Sequence, residues 1–332
     1  MDGEFVPEHV LQHYPFVTGR KAHCAWEFDL SKAVLRFLTE LDPDYFVNIA
    51  EIHLARVEES ECQSSAIALR SLYLQGLETL FAMLGALVQA PGAIPAWLLK
   101  YKNHELDELV ADLQAGRPIL SCVNSKIETW NDLSSVVHAG MAVDVEKKDE
   151  ISTVFGGLWR RFAGDFLDKK MRLEYNSIKH GLRIKPGGFA LAIGRQESPE
   201  VPCPPERMQN MGGSKFGSAY YTAEELDSKG LNFRIRQQSV NWNPQNMFWG
   251  AKLISLSLNN VIACLRAVNK GEREDISFKF LENPEEFDKP WSHAVGVMSF
   301  DFALNLSPNQ IQPMRKEEIL ARYEKRTGEN TE

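Results

Sequence analysis

From Gln63 to Ala90 the apolar positions Ala66, Leu69, Leu72, Tyr73, Leu77, Leu80, Phe81, Leu84, Leu87 and Val88 recur at spacings of three and four. Such spacings bring side chains onto one side of a helix of 3.6 residues per turn, so the segment predicts a long amphipathic helix forming the spine of a core. Before it, Ser31 caps a helix to about Leu41 and a second helix runs to about Glu58. Asp42-Pro43-Asp44 separates the two, because proline disfavours the helical region for the residue before it. Further helical periods cover about 94–101, 104–115 and 125–139, then a long helix over about 150–180 with Val154, Leu158, Phe162, Phe166 and Leu173. The most apolar run, Leu80 to Leu99, has the length of a membrane span. Gln89, Pro91, Gly92 and Pro95 interrupt it, so it reads as a core helix ending at Pro91 rather than a membrane segment.

After His180 the pattern changes. Glycine and proline supply 12 of the 45 positions from Pro186 to Gly230, against 38 of 332 overall, which disfavours helix. Leu182–Lys185 and Phe189–Ile193 flank Pro186-Gly187-Gly188 and predict a hairpin, and Asn232–Arg236 alternates with the period of a strand. A helix returns over Pro244–Asn269, with Phe248, Leu253, Leu256, Leu258 and Ile262 facing the core. Ile276–Leu281 and Ala294–Leu306 predict strands, and the mixed charges of the last twenty residues predict an exposed helix and tail. The expected fold is mainly α, a helical-bundle core with an inserted β-rich subdomain, α+β overall. Its parts are an irregular N-terminal segment (1–30), the helical core (31–181), the β-rich elaboration (182–243), a helix rejoining the core (244–270), candidate strands (271–312) and a charged C-terminal helix and tail (313–332).

Composition narrows the class. With 44% hydrophobic and 25% charged residues, 18 Phe and 7 Trp, the chain is globular, not collagenous, disordered or a disulfide scaffold. Its five widely spaced cysteines form no CxxC pair and read as reduced thiols, with no metal site. Acidic residues at the N-terminus fit no export signal, so a cytoplasmic location is expected. A net charge of −8 gives no global pull toward nucleic acid, and any polyanion must use a local patch. One exists: Arg160 to Lys185 holds eight basic and three acidic residues, a local +5 that leaves −13 for the rest.

Within that stretch Arg172, Asn176 and His180 are separated by four and four, so they share one helix face, with Lys169 and Lys179 near its edges and Arg183 just beyond. A histidine whose ordinary pKa is ~6.5 moves protons at neutral pH, and adjacent cations stabilise charge developing on phosphorus. Such a set can cleave RNA without a metal, the ribose 2′-hydroxyl serving as nucleophile. The plainer reading of the same residues is a solvated helix face whose end is capped by His180 and Gly181.

The run Asn176-Ser177-Ile178-Lys179-His180, near the end of a long helix in a helical context of about 60–180, resembles the HEPN superfamily. Many of its members carry Arg-Asn-x-x-x-His and act as metal-independent ribonucleases in toxins and antiviral defence. The resemblance implies a catalytic His180 with Asn176 as its polar partner, a homodimer whose two motifs meet in one cleft, and no cofactor. The family arginine is replaced here by Tyr175, and the nearest substitute is Arg172, one turn upstream on the His180 face. The expected site is therefore catalytic His180, Asn176 and Arg172, with Lys169, Lys179 and Arg183 binding RNA or a nucleotide and Glu78 and Tyr175 in support. If Arg172 does not substitute, the resemblance implies a degenerate member, a non-enzymatic binding or assembly protein that docks an acidic partner or nucleotide.

Other candidates are weaker. Glu78 interrupts an apolar helix, where a carboxylate is costly unless paired, and Arg172 or Lys179 are its expected partners. His9 and His13 have the spacing of a helical metal pair, but Pro7 and Pro15 favour irregular backbone and no third ligand follows. Gly212-Gly213-Ser214-Lys215 lacks the phosphate-loop spacing and reads as a surface loop. Tyr220, Tyr221, Trp242, Phe248 and Trp249 can stack bases or fill a core, and His138 and His293 have no local partner set.

Overall fold

The computed structural model describes residues 11–123, 125–181, 183–196, 198, 201–272, 276–301, 307 and 310–328. The fold is α+β, 54% helical, with ten α-helices and several small antiparallel sheets among the described residues. The chain divides into two compact units, Met1–Arg172 with Pro244–His293, and Leu173–Asn243 with Ala294–Glu332.

The first unit begins with strands β1 (Gln12–Thr18) and β2 (Lys21–Glu27), then helices α1 (Leu30–Glu40), α2 (Tyr45–Ser60), α3 (Gln63–Gln89), α4 (Ile94–Lys100), α5 (Asn103–Gln114), α6 (Trp130–His138) and α7 (Val145–Leu167). Helix α8 (Lys169–Lys179) starts here and carries the chain into the other unit, from which α9 (Pro244–Val268) and a 3-10 helix at Pro284–Trp291 return. Helix α3 packs against α2, α5, α7 and α9, and beyond Leu69 it is buried around nearly its whole circumference. Helices α3 and α9 are long and apolar enough to cross a membrane by length and composition, yet 78% of the most apolar window of each is buried within the chain.

The polar interruption at Gln89 has a structural partner. Its amide nitrogen donates to the Gly19 and Leu120 carbonyls at 3.2 and 3.1 Å, and its oxygen accepts from the Gly19 amide and the Trp97 indole at 3.0 and 3.2 Å. Gly19 is the turn between β1 and β2, so residues 12–27 form a hairpin where irregular backbone was expected. Pro15 is tolerated because a two-stranded ladder leaves each strand an open edge. His13 sits in this ladder opposite Trp26, with ring centroids 5.0 Å apart, and so lacks the helical spacing of a metal pair. His9 lies outside the described residues.

Two further expectations change in this unit. The helix expected over 150–180 is broken at Asp168, whose backbone is extended (ψ 117°) and whose Oδ1 accepts from the Lys170 and Met171 amides at 2.7 and 2.9 Å. A short acidic side chain bonding to the backbone ahead of it ends one helix and caps the next. Residues 276–281 form no strand. Their backbone is bonded instead by α9 side chains: Asn260 receives the Lys279 amide at 2.7 Å and donates to its carbonyl at 2.8 Å, and Asn259 donates to the Ser277 carbonyl at 2.8 Å.

In the second unit β3 (Ile184–Pro186), β6 (Gly217–Glu225), β7 (Phe233–Asn241) and β8 (Ser299–Asp301) form one antiparallel sheet in the order β3-β6-β7-β8, between which in sequence β4 (Ala190–Ile193) and β5 (Gln209–Gly213) pair separately. Helix α10 (Lys316–Gly328) follows. The hairpin expected across Pro186-Gly187-Gly188 does not form, because β3 and β4 join different ladders. Gly187 donates to the Gly217 carbonyl and Gly188 to the Lys215 carbonyl, at 3.0 and 3.1 Å. A Cβ on Gly188 would lie 2.3 Å from the Ser214 carbonyl oxygen, so only glycine lets the chain turn against that loop. Gly212 and Gly213 belong to β5, and the Ser214 hydroxyl donates to the Trp242 carbonyl at 3.3 Å, which replaces the expected surface loop with paired backbone. Residues 302–306 of the last expected strand lie outside the described residues.

His138 is buried in the first unit with partners that sequence proximity hides. The Asn260 amide is oriented by its two bonds to Lys279, which aims its nitrogen at His138 Nε2, 3.1 Å away. Nε2 must accept, so the proton sits on Nδ1, which donates to the Ser134 carbonyl at 2.8 Å. Burial pulls the pKa of His138 from 6.5 down to about 4. The unfolded chain takes up this proton near 6.5 and the folded chain only near 4, so the stability supplied by the neutral ring is complete above about 6.5 and is lost, by a few kcal/mol, as pH falls toward 4. Urea unfolding midpoints measured between pH 7.5 and 4.5 should show this loss, and a His138→Gln variant, less stable at pH 7.5, should show a flatter dependence. Parallel curves for the two proteins would refute the assignment.

Candidate functional site

Helix α8 is set by one buried acid. Glu174 is fully buried, and its Oε1 accepts from the Ser218 hydroxyl of β6 at 2.6 Å and from the Trp242 indole, just past β7, at 3.0 Å. Ser177, three residues on, is also buried and donates to the Leu173 carbonyl at 2.9 Å. With positions 174 and 177 inward, a period of 3.6 turns Asn176, Lys179 and His180 outward, and all three are exposed. The helix closes with the His180 amide on the Asn176 carbonyl and the Gly181 amide on the Ile178 carbonyl. Gly181 has φ +65°, the left-handed cap conformation that glycine adopts without strain.

Arg172 is committed within the first unit. Its guanidinium donates to both carboxylate oxygens of Asp107 on α5, at 2.5 and 2.7 Å, and lies 5.9 Å from the Phe166 ring centre. Burial raises the Asp107 pKa; the facing Arg172 opposes that shift, and the nearby charge of Glu78 adds to it. The acid paired with Arg172 is therefore Asp107, with half-buried Glu78 beside it as a second negative charge. Arg161, from the same basic stretch, is held by Asp288 and by the Trp291 ring 3.8 Å away. The Lys179 ammonium stands 3.9 Å over the ring of half-buried Tyr175. Lys169, Arg183 and Lys185 are exposed.

The aromatics separate into two groups. Trp242 and Tyr220 are buried, the latter donating its hydroxyl to Gln238 at 3.1 Å, whereas Tyr221 is 63% exposed. Trp249 carries the ammonium groups of Lys252 and Lys289 at 4.6 and 3.8 Å. His293 meets Asn246 and Ser292 at 3.1 and 2.9 Å, so it too has partners.

Sequence reading missed Asp107 and Ser218 and did not link Trp242 to Glu174, since the spacings of all three from α8 follow no local pattern. It also missed a visible signal at Cys62, which precedes Ser64 and Ser65 at the start of α3. Hydrogen bonds from those two serines lower its thiol pKa from 9.0 to about 7. Compared with protein-family models, curated proteins and solved structures, the chain matches none.

Alkylation by iodoacetamide, followed by mass spectrometry, should reach half its maximal rate at Cys62 near pH 7. Cys264, pushed up to about 12 by burial, should stay unmodified in the folded protein. A Cys62 rate that rises only above pH 8.5 would contradict the assignment.

Proposed function

We propose that the chain is a HEPN-like protein, a helical-bundle core with an inserted β-rich subdomain, that binds RNA through the exposed end of α8 and does not cleave it. The observation that carries this reading is the bidentate bond from Arg172 to Asp107. A guanidinium facing a carboxylate has two of its five donors occupied and its charge largely offset, which weakens it as a stabiliser of charge developing on a phosphorus centre. Asn176, Lys179, His180 and Arg183 keep exposed side chains suited to phosphate and base contacts. In this reading the protein is a cytoplasmic homodimer without cofactor or metal, and its apolar helices serve the core rather than a membrane.

The ribonuclease reading, with a role in toxin action or antiviral defence, keeps one supporting observation. Asn176 and His180 are both exposed and one turn apart. It requires Arg172 to leave Asp107, or another cation to take its place.

Fluorescence anisotropy with labelled RNA oligonucleotides separates the two. Binding should weaken in Lys179→Ala and in Arg183→Ala, each lowering the slope of log K against log salt by about 1. The parent should leave diverse RNAs intact. Absence of binding at low salt would overturn the proposal, and cleavage that disappears in His180→Ala would establish the ribonuclease instead. Asp107→Asn frees Arg172 and sharpens the contrast: the binding reading expects tighter RNA association without cleavage, the ribonuclease reading a gain in cleavage.

A further inference from the structure

The sheet of the second unit is inverted in its polarity. Side chains alternate across a strand, and directly paired residues of neighbouring strands share a face. One face carries Ser218, Tyr220, Glu224, Arg234, Arg236 and Asp301. Here Glu174 bonds Ser218, and Glu224 takes Arg234 at 2.5 Å and Arg236 at 3.1 Å, while Arg236 reaches Asp301 at 2.8 Å. Glu224, Arg234 and Arg236 are half-buried on this side, with Asp301 exposed at its edge.

The opposite face carries a group of exposed apolar side chains, with Gln237 and Ser239 between them. Tyr221 on β6 is 63% exposed, Phe233 and Ile235 on β7 are 54% and 71%, and Phe300 on β8 is 45%. Pairing of Lys185 with Ala219 puts the Lys185 side chain on this face, and Arg183, two residues earlier, has the same parity. Both are exposed. Among the paired positions of this face the one acid is Glu225, four residues from Tyr221 along β6, about 13 Å away and at the far end of the strand from the basic edge. Phe300 is braced by Phe189, with centroids 6.3 Å apart. The Asn241 amide in turn fixes Phe189, donating to its carbonyl at 2.8 Å and accepting from its N–H at 2.9 Å.

Resting on the RNA-binding reading, we infer that this face is the platform on which a single-stranded RNA stacks its bases, with Arg183 and Lys185 holding the phosphates as the strand leaves the end of α8. Every nucleobase has a π-face, and an exposed aromatic ring on a rigid sheet offers a flat surface at little entropic cost. Duplex RNA keeps its bases stacked inside and cannot use the platform.

The test uses the full chain with a 12-nucleotide unstructured RNA and a hairpin duplex of equal charge. The parent should bind the single strand at least tenfold more tightly. Tyr221→Ser and Phe300→Ser alter exposed rings, and thermal melts and sedimentation should match the parent. Each should weaken single-strand binding about tenfold or more without changing the salt slope, because stacking involves no counterion release. Lys185→Ala should lower the slope by about 1. If the ring variants bind like the parent while Lys179→Ala and Arg183→Ala bind less, the platform is wrong and the α8 reading stands. Equal affinity for duplex and single strand, or a change of oligomeric state in the ring variants, would also overturn the platform. No RNA binding by the parent would remove both.

Discussion

A carboxylate with no exposure to water is costly unless donors replace its hydration, and the Ser218 hydroxyl and the Trp242 indole do so for Glu174. Two choices follow from that single group. It fixes the rotation of α8, since a helix with positions 174 and 177 inward must expose 176, 179 and 180. It also fixes which face of β6 is inward, since Ser218 and Tyr220 on one side leave Tyr221 on the other. Slipping the pairing by one residue would exchange the faces and leave Glu174 without its hydroxyl donor. The exposed helix end and the exposed aromatic face are therefore consequences of one buried acid.

Periodicity made the helical parts legible. The three-and-four spacing from Ala66 to Val88 identified α3, and the four-and-four spacing of Arg172, Asn176 and His180 identified the face of α8, because helix phase is a local property. Gly181 announced its own cap. What stayed hidden depended on partners far away in sequence. Asp107 lies 65 residues from Arg172, and Asn260 lies 122 from His138. The N-terminal hairpin was obscured for the same reason: Pro15 argued locally for irregular backbone, while the amide that secures the turn belongs to Gln89. Gly187 and Gly188 marked a turn correctly but not its direction, which the 214–217 loop decides.

Charge shows the same limit in another form. The +5 of residues 160–185 treats every cation as available, whereas Arg161 and Arg172 are matched by Asp288 and Asp107 from other elements. A sum along the chain overstates an electrostatic patch whenever the fold supplies counterions from elsewhere. The exposed cations that remain include the short stretch from Lys179 to Lys185, and its position matters more than its size. It runs from the end of α8 directly into β3, the edge strand of the sheet.

A sheet stabilised only by its own burial would turn Tyr221, Phe233, Ile235 and Phe300 toward the helix and Glu224, Arg234 and Arg236 toward water. Leaving each large apolar side chain exposed forfeits about 1.5–3 kcal/mol that burial would return. Mutual bonding among Glu224, Arg234, Arg236 and Asp301 makes the half-buried charges tolerable without offsetting that loss. The arrangement is therefore inefficient for the isolated chain. It becomes efficient when the outward rings are covered in use, so the apparent flaw in packing is itself an argument that this face binds something flat and apolar with negative charge at its margin.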